Sequence, residues 1–147
     1  MYLYRAVDSA GNTLDFLLSA TRDAQTATRF FSKTLAAAHP VAPGVITVDK
    51  NAAYPKAFNQ LQEEGILPTS CALRQSTYLN NLVEQDHRFI KRLVKPEMGF
   101  FSCGTAWRTL QGYEAMNMLR KGQIRGVEKG DSMKQAAFIA SLFGVAI

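Results

Sequence analysis

The sequence predicts an α/β fold, a mixed sheet flanked by helices. Three observations point there. Two strand-like runs near the N-terminus are joined by the turn chemistry of "SAGN", Ser9–Asn12. The β-branched run Val45–Val48 shows no alternation, which is how a strand buried on both faces and paired in parallel reads. Segments with the helical period lie on either side of that run and continue to the C-terminal part.

In chain order, Leu3–Val7 and Thr13–Ser19 read as strands and form a hairpin. Thr21 is placed to cap a helix whose apolar positions are Ala24, Ala27, Phe31 and Leu35, three or four residues apart. His39-Pro40 and Pro43-Gly44 interrupt the chain before the Val45–Val48 strand. A helix from about Asn51 to Glu64 follows, with Pro55 tolerated only near its first turn. Ile66–Leu73 is one more strand, and Pro68 assigns it to an edge. Leu79–Val94 is a strong helix and Lys95–Gly104 a loop. Thr105–Lys121 is a helix that Gly122 is suited to end, and a short helix runs from Asp131 to Phe143. There is no internal repeat and no low-complexity segment.

The 147 residues suit one core, and 47% hydrophobic with 20% charged residues is a globular composition. No apolar run reaches membrane-spanning length, and "MYLYRAVDSAGN" lacks the basic start and apolar centre of a signal peptide, so a cytoplasmic protein with no membrane partner is expected. Cys71 and Cys103 form no CxxC pair, and with His39 and His87 they do not give zinc-ligand spacing; two reduced thiols are expected. The net charge of +5 favours a polyanionic partner such as nucleic acid, and most basic residues fall between Arg74 and Lys134.

Two acids stand out. Asp49 ends the Val45–Val48 strand, and in open α/β sheets chemistry gathers at the carboxyl ends of strands. Capping of the next helix is the plainer role for it. The second acid lies in "YLNNLVEQDHRFIKRLVKP", Tyr78–Pro96. On a helix, Leu79, Leu82, Val83, Phe89, Ile90, Leu93 and Val94 share an apolar sector, while Glu84, Arg88, Lys91 and Lys95 line the opposite side. A solvated face with a weak Glu84–Arg88 pair is the plainer reading. Taken with Asp49, the same face suits divalent metal held by carboxylates and a DNA backbone held by the basic stripe. Asp86 falls in the apolar sector and requires a buried partner. Tyr78 and Trp107 suit either packing or stacking on bases.

The segments "YLYRAVDSAGNTLDFLLSATRDAQTATRFF", "VITVDKNAAYPKA", "YLNNLVEQDHRFIKRLVKP" and "RTLQGYEAMNMLRKGQ" resemble, in order, the bacterial insertion-sequence transposases of family six. The resemblance covers Tyr2 to Gln123. It implies a ribonuclease-H-like core of the retroviral-integrase type, occupying residues 1–123, with residues 124–147 as a C-terminal tail. It also implies an Asp-Asp-Glu triad with a two-metal Mg²⁺ or Mn²⁺ site. Asp49 matches the second acid and Glu84 the third, and the 34 residues between them match the family spacing. Lys91 and its neighbours Arg88, Arg92 and Lys95 are implied to face DNA, the element's ends and its target. The family's first Asp, on a strand ahead of the "YLYRA" segment, has no counterpart here, nor has the DNA-binding region before it; neither Asp8 nor Asp15 matches that acid.

The expectation is therefore an N-terminally truncated catalytic core that lacks its first central strand and is inactive alone. Leu3–Val7 and Val45–Val48 should each miss a neighbour, which favours poor solubility or pairing with another chain, as a homo-oligomer or with full-length transposase. A non-catalytic DNA-binding or transposase-interacting remnant is the alternative. A nuclease of the same fold has less support.

Overall fold

The computed structural model describes residues 1–38, 42–76, 81–94 and 102–145. It is α/β, with short strands and five described helices, and it divides into two compact units, Met1–Phe89 and Ile90–Ile147.

The first unit opens with the expected hairpin. Strand β1 (Tyr2–Val7) pairs antiparallel with β2 (Thr13–Ser19), Tyr2 opposite Ser19 and Ala6 opposite Asp15, with a register irregularity at Ala6/Val7. Asp8 builds the turn: one carboxylate oxygen accepts the N–H groups of Ala10 at 2.9 Å and Asn12 at 2.8 Å, the other the Asn12 amide at 2.8 Å.

Helix α1 (Ala24–Ala38) starts from a different cap than expected. Asp23 accepts the Thr26 N–H at 2.7 Å, while Thr21 spends its hydroxyl on that of Thr26 at 2.9 Å. An Asp directly before the first helical residue both accepts an orphan N–H and adds negative charge at the positive end of the helix. Ala27, Phe30 and Phe31 are buried on the inner face.

Strand β3 (Val45–Val48) pairs in parallel with β4 (Ala72–Gln75), Val45 opposite Ala72 and Val48 opposite Gln75. Parallel pairing is as the sequence predicts, but full burial is not: Val48 is buried while Val45 is 46% exposed. Strand β4 also begins later than the expected Ile66. Helix α2 (Ala53–Glu63) explains this. It ends at Gly65, whose φ of 73° is in the left-handed region, and the N–H groups of Ile66 and Leu67 both donate to the Leu61 carbonyl. Those residues serve the helix end, Pro68 enters the following turn by accepting the Cys71 N–H at 2.9 Å, and Leu67 is driven into the core.

The core of this unit joins Tyr4 and Val48 from the strands to Phe30, Phe31, Ala57, Phe58 and Leu61 from α1 and α2, with Leu67 and Cys71 from the segment before β4. The rings of Tyr4 and Phe30 lie 5.5 Å apart and those of Phe31 and Tyr54 5.8 Å apart. Instead of one sheet, the described strands form two separate pairs, β1–β2 and β3–β4.

Helix α3 (Asn81–Val94) keeps the expected amphipathic face, with Ile90 buried and Glu84, Arg88, Lys91 and Arg92 exposed. In the second unit, α4 (Cys103–Arg120) is capped by the Ser102 hydroxyl, which accepts the Thr105 N–H at 3.1 Å, and buries Ala106, Leu110, Glu114 and Asn117 along one stripe. It ends at Gly122 as predicted: Gly122 N–H donates to the Leu119 carbonyl and Gln123 N–H to that of Met118, each at 3.0 Å. Helix α5 (Ser132–Leu142) is capped by Asp131 and buries none of its residues. Cys71 and Cys103 are both free thiols. No helix among the described residues is long and apolar enough to cross a membrane.

Candidate functional site

Asp49 sits where β3 gives way to α2. Its Oδ1 accepts the Asn51 N–H at 2.9 Å, and Asn51 in turn accepts the Ala53 N–H at 2.8 Å. The acid therefore shapes the turn into α2 without being the residue that caps it; the cap position is Ala52, which makes no side-chain bond. Its other oxygen, Oδ2, is held by Arg22 Nη2 at 2.7 Å, with both side chains about 40% exposed.

Arg22 stands just ahead of α1, where the helix dipole disfavours a cation. That is the signal sequence reasoning passed over: a cation so placed is eased by an acidic counter-charge, and Asp49 supplies one. Tyr4 and Tyr54 complete the surroundings. Their rings meet edge to face with centroids 6.4 Å apart. Burial, aided by the negative charge of Asp49 and opposed by Arg22, pushes the Tyr54 phenol up to about 12. Burial also raises the Tyr4 phenol, whose hydroxyl is enclosed without a hydrogen-bond partner among the described residues. All four side chains border a cavity of about 850 Å³ in the first unit.

Glu84 occupies the first turn of α3, the end of a helix that favours an anion, and it is exposed. Arg88 and Lys91 follow it at helical spacing and are exposed as well, as is Arg92. Lys95 and Tyr78 lie outside the described residues, as do the side chains of Asp86 and His87. Trp107 is half-buried on α4.

The two other acids weighed from the sequence have local duties. Asp8 is consumed by its turn: burial raises its carboxyl, but the donors from Asn12, Ala10 and Gly11 outweigh this and hold it below the usual range. Asp15 accepts Lys33 Nζ at 2.7 Å. Among the described residues, no group of three or more His, Cys, Asp or Glu side chains is placed to hold a metal. With both Asp49 oxygens already engaged, the described residues do not by themselves make a metal centre.

The comparisons with known proteins agree with the motif reading. Residues 1–123 match the family described as DDE domain, in its IS240-type transposase form. The transposase for insertion sequence-like element IS431mec of Staphylococcus aureus is 35% identical over 127 residues, which is 86% of this chain and 54% of that protein. The transposase for insertion sequence element IS257 in transposon Tn4003, also of Staphylococcus aureus, matches to the same extent. An uncharacterized protein of Yersinia pseudotuberculosis serotype I is 37% identical over 65 residues, 44% of this chain and 61% of that protein. No solved structure matches. The chain spans about half the length of the transposases it matches. With the four motifs in order and the domain match extending over most of its length, the chain belongs to the DDE-domain insertion-sequence transposases of family six.

Proposed function

We propose that this chain is a catalytic-core segment of a transposase that cleaves and joins the ends of a mobile element by metal-dependent phosphoryl transfer, within a ribonuclease-H-like fold. Asp49 and Glu84 are two of the acids of that centre, and the ion they help to hold is Mg²⁺ or Mn²⁺. Arg88, Lys91, Arg92 and Lys95 hold the DNA backbone. The chain alone binds DNA and does not cut it, because among the described residues no three acids gather to hold a metal and Arg22 is already paired with Asp49. The observation that carries the reading is α3, which presents Glu84, Arg88 and Lys91 exposed in sequence along one helix of a DDE domain.

The test is a binding titration on duplexes carrying the element's ends over a range of salt, with a cleavage assay in Mg²⁺ or Mn²⁺ beside it. Replacing both basic residues (Arg88→Glu with Lys91→Glu) should weaken binding and flatten the salt slope by roughly one to two units, since each lost phosphate contact contributes about 0.9. Unchanged affinity and slope would refute the DNA-binding face. Cutting by the wild-type chain that Asp49→Ala abolishes would refute the inactivity.

A further inference from the structure

In the second unit, the stretch "RKGQIRGVEKGDS", Arg120–Ser132, sets a basic residue directly before a glycine three times, at a spacing of four: Lys121-Gly122, Arg125-Gly126 and Lys129-Gly130. The three glycines have φ of 75°, 81° and 87°. The first ends α4. The other two each take the third position of a turn: Val127 N–H donates to the Ile124 carbonyl at 3.1 Å, and Asp131 N–H to the Glu128 carbonyl at 3.2 Å. A left-handed glycine at the third position is the mark of a type II turn, so Arg125 and Lys129 occupy the second position, one at each corner. Both turns lie beyond residue 123, where the match to the DDE-domain family ends.

The corners are held in place from several sides. Val127, between them, is buried. Gln135 Nε2 donates to the Glu128 carbonyl at 3.1 Å, and Asp131 caps α5. The second turn also folds back on the end of α4, where a Cβ on Gly122 would stand 2.5 Å from the Lys129 backbone nitrogen. What the corners present is polar and open. Arg125, Gly126, Lys129 and Gly130 are all exposed, and a Cβ on Gly126 or Gly130 would meet nothing within 4 Å. Among the described residues, no acceptor takes the N–H of either glycine, and neither Arg125 nor Lys129 has an ion pair. Of the two acids that face five basic residues between Arg120 and Lys134, Asp131 is engaged by Lys134 Nζ at 3.2 Å.

Exposed lysines and arginines on loops are ordinarily just solvated. Two features set these apart: each cation sits on a fixed corner, and each has an unclaimed backbone N–H beside it. Amide N–H groups offered by turns make anion-binding concavities, and nucleic-acid backbones are held by such amides together with Arg and Lys. A corner already pinned loses little freedom when a ligand arrives. A lipid surface fits less well, because it needs apolar side chains beside the cations. Val127 is buried and Ile124 half-buried, so the apolar residues of the turns are turned inward. We propose that the two turns are a second phosphate-binding site: Arg125 and Lys129, with the N–H groups of Gly126 and Gly130, hold backbone phosphates of duplex DNA whatever its base sequence. The site takes its ligand class from the DNA reading above, but it uses neither the acids nor any residue of α3.

The probe is a DNA duplex of arbitrary sequence titrated into the full chain, followed by anisotropy over a range of salt and by residue-resolved amide spectra. At saturation the Gly126 and Gly130 amide signals should shift. Arg125→Gln with Lys129→Gln alters exposed side chains only, so the melt should stay unchanged. Binding should weaken by at least about threefold, and the salt slope should flatten by roughly two units, since each lost phosphate contact contributes about 0.9. Arg125→Lys with Lys129→Arg keeps both charges and should keep the slope. Arg88→Glu with Lys91→Glu should weaken binding yet leave the Gly126 and Gly130 shifts at saturation, so the two DNA contacts fail separately. An unchanged slope in the glutamine variant, glycine amides that the duplex does not move, or a wild-type chain that does not bind the duplex would overturn the proposal. Movement of those amides by phosphatidylserine vesicles and not by the duplex would overturn it in favour of a lipid surface.

Discussion

Arg22 Nη2 meets Asp49 Oδ2 at 2.7 Å, across 27 positions of sequence. The contact ties the start of α1 to the end of β3, and it sets a cation on the acid proposed above to help hold metal. Both side chains are about 40% exposed, so the pair lies in water-screened surroundings and contributes little to folding. Its consequence is electrostatic. A divalent ion approaching Asp49 meets a positive charge already seated there.

Removing that charge should separate the two effects. Arg22→Ala is expected to change unfolding free energy by less than about 1 kcal/mol, as for exposed ion pairs generally. It should also let Mn²⁺ broaden the amide signals of Asp49, Lys50 and Asn51 at roughly threefold lower ion concentration, because the local repulsion is gone. A chemical-denaturation curve and a paramagnetic titration measure the two quantities. Equal broadening in both proteins would mean that Arg22 does not guard the acid.

Tyr54 gives a pH dependence with a definite sign. Its phenol titrates at about 12 in the folded chain, against about 10 for an unperturbed tyrosine. Between those values the unfolded chain has released the proton and the folded chain still holds it. The unfolded state then binds fewer protons, so stability is fully present below pH 10 and falls as pH rises toward 12. Tyr4 is raised as well, but the phase of phenolate absorbance near pH 12 should belong to Tyr54, and Tyr54→Phe should remove that phase and flatten the stability loss. A late phase that survives the substitution would assign the shift to another ring.

How much of this was legible beforehand divides along a physical line. Features fixed by a few neighbouring residues were readable: the hairpin around Asp8, the parallel character of Val45–Val48, the amphipathic face of α3 and the Gly122 helix end. Features set by tertiary competition were not. Pro68 pointed to an edge strand at Ile66–Leu73, but the end of α2 claimed the backbone of Ile66 and Leu67 first. Full burial of Val45 was read from its β-branched run, but among the described residues only β4 pairs with β3, and Val45 stays 46% exposed. At the site, the motifs singled out Asp49 and Glu84, while Arg22, Tyr4 and Tyr54 came into view only through contacts between distant segments. Pair periodicity within one element carries no information about such contacts.

Two glycines of the second unit make the last prediction, because they share a conformation and differ in what surrounds them. Gly122 has φ of 75° and Gly126 φ of 81°, both in the left-handed region where a Cβ is strained. A Cβ on Gly122 would also stand 2.5 Å from the Lys129 backbone nitrogen, whereas one on Gly126 would meet nothing within 4 Å. The backbone nitrogen cannot swing aside as a side chain can. Gly126→Ala should therefore cost about 1 kcal/mol, the conformational term alone. Gly122→Ala should cost roughly 2 kcal/mol or more, and it should loosen the end of α4 by weakening the bonds to Leu119 and Met118. Urea unfolding of both variants measures the difference, and amide exchange at Gly122 and Gln123 locates it. Equal costs would show that the close approach of Lys129 gives way freely and that the left-handed backbone is the whole constraint.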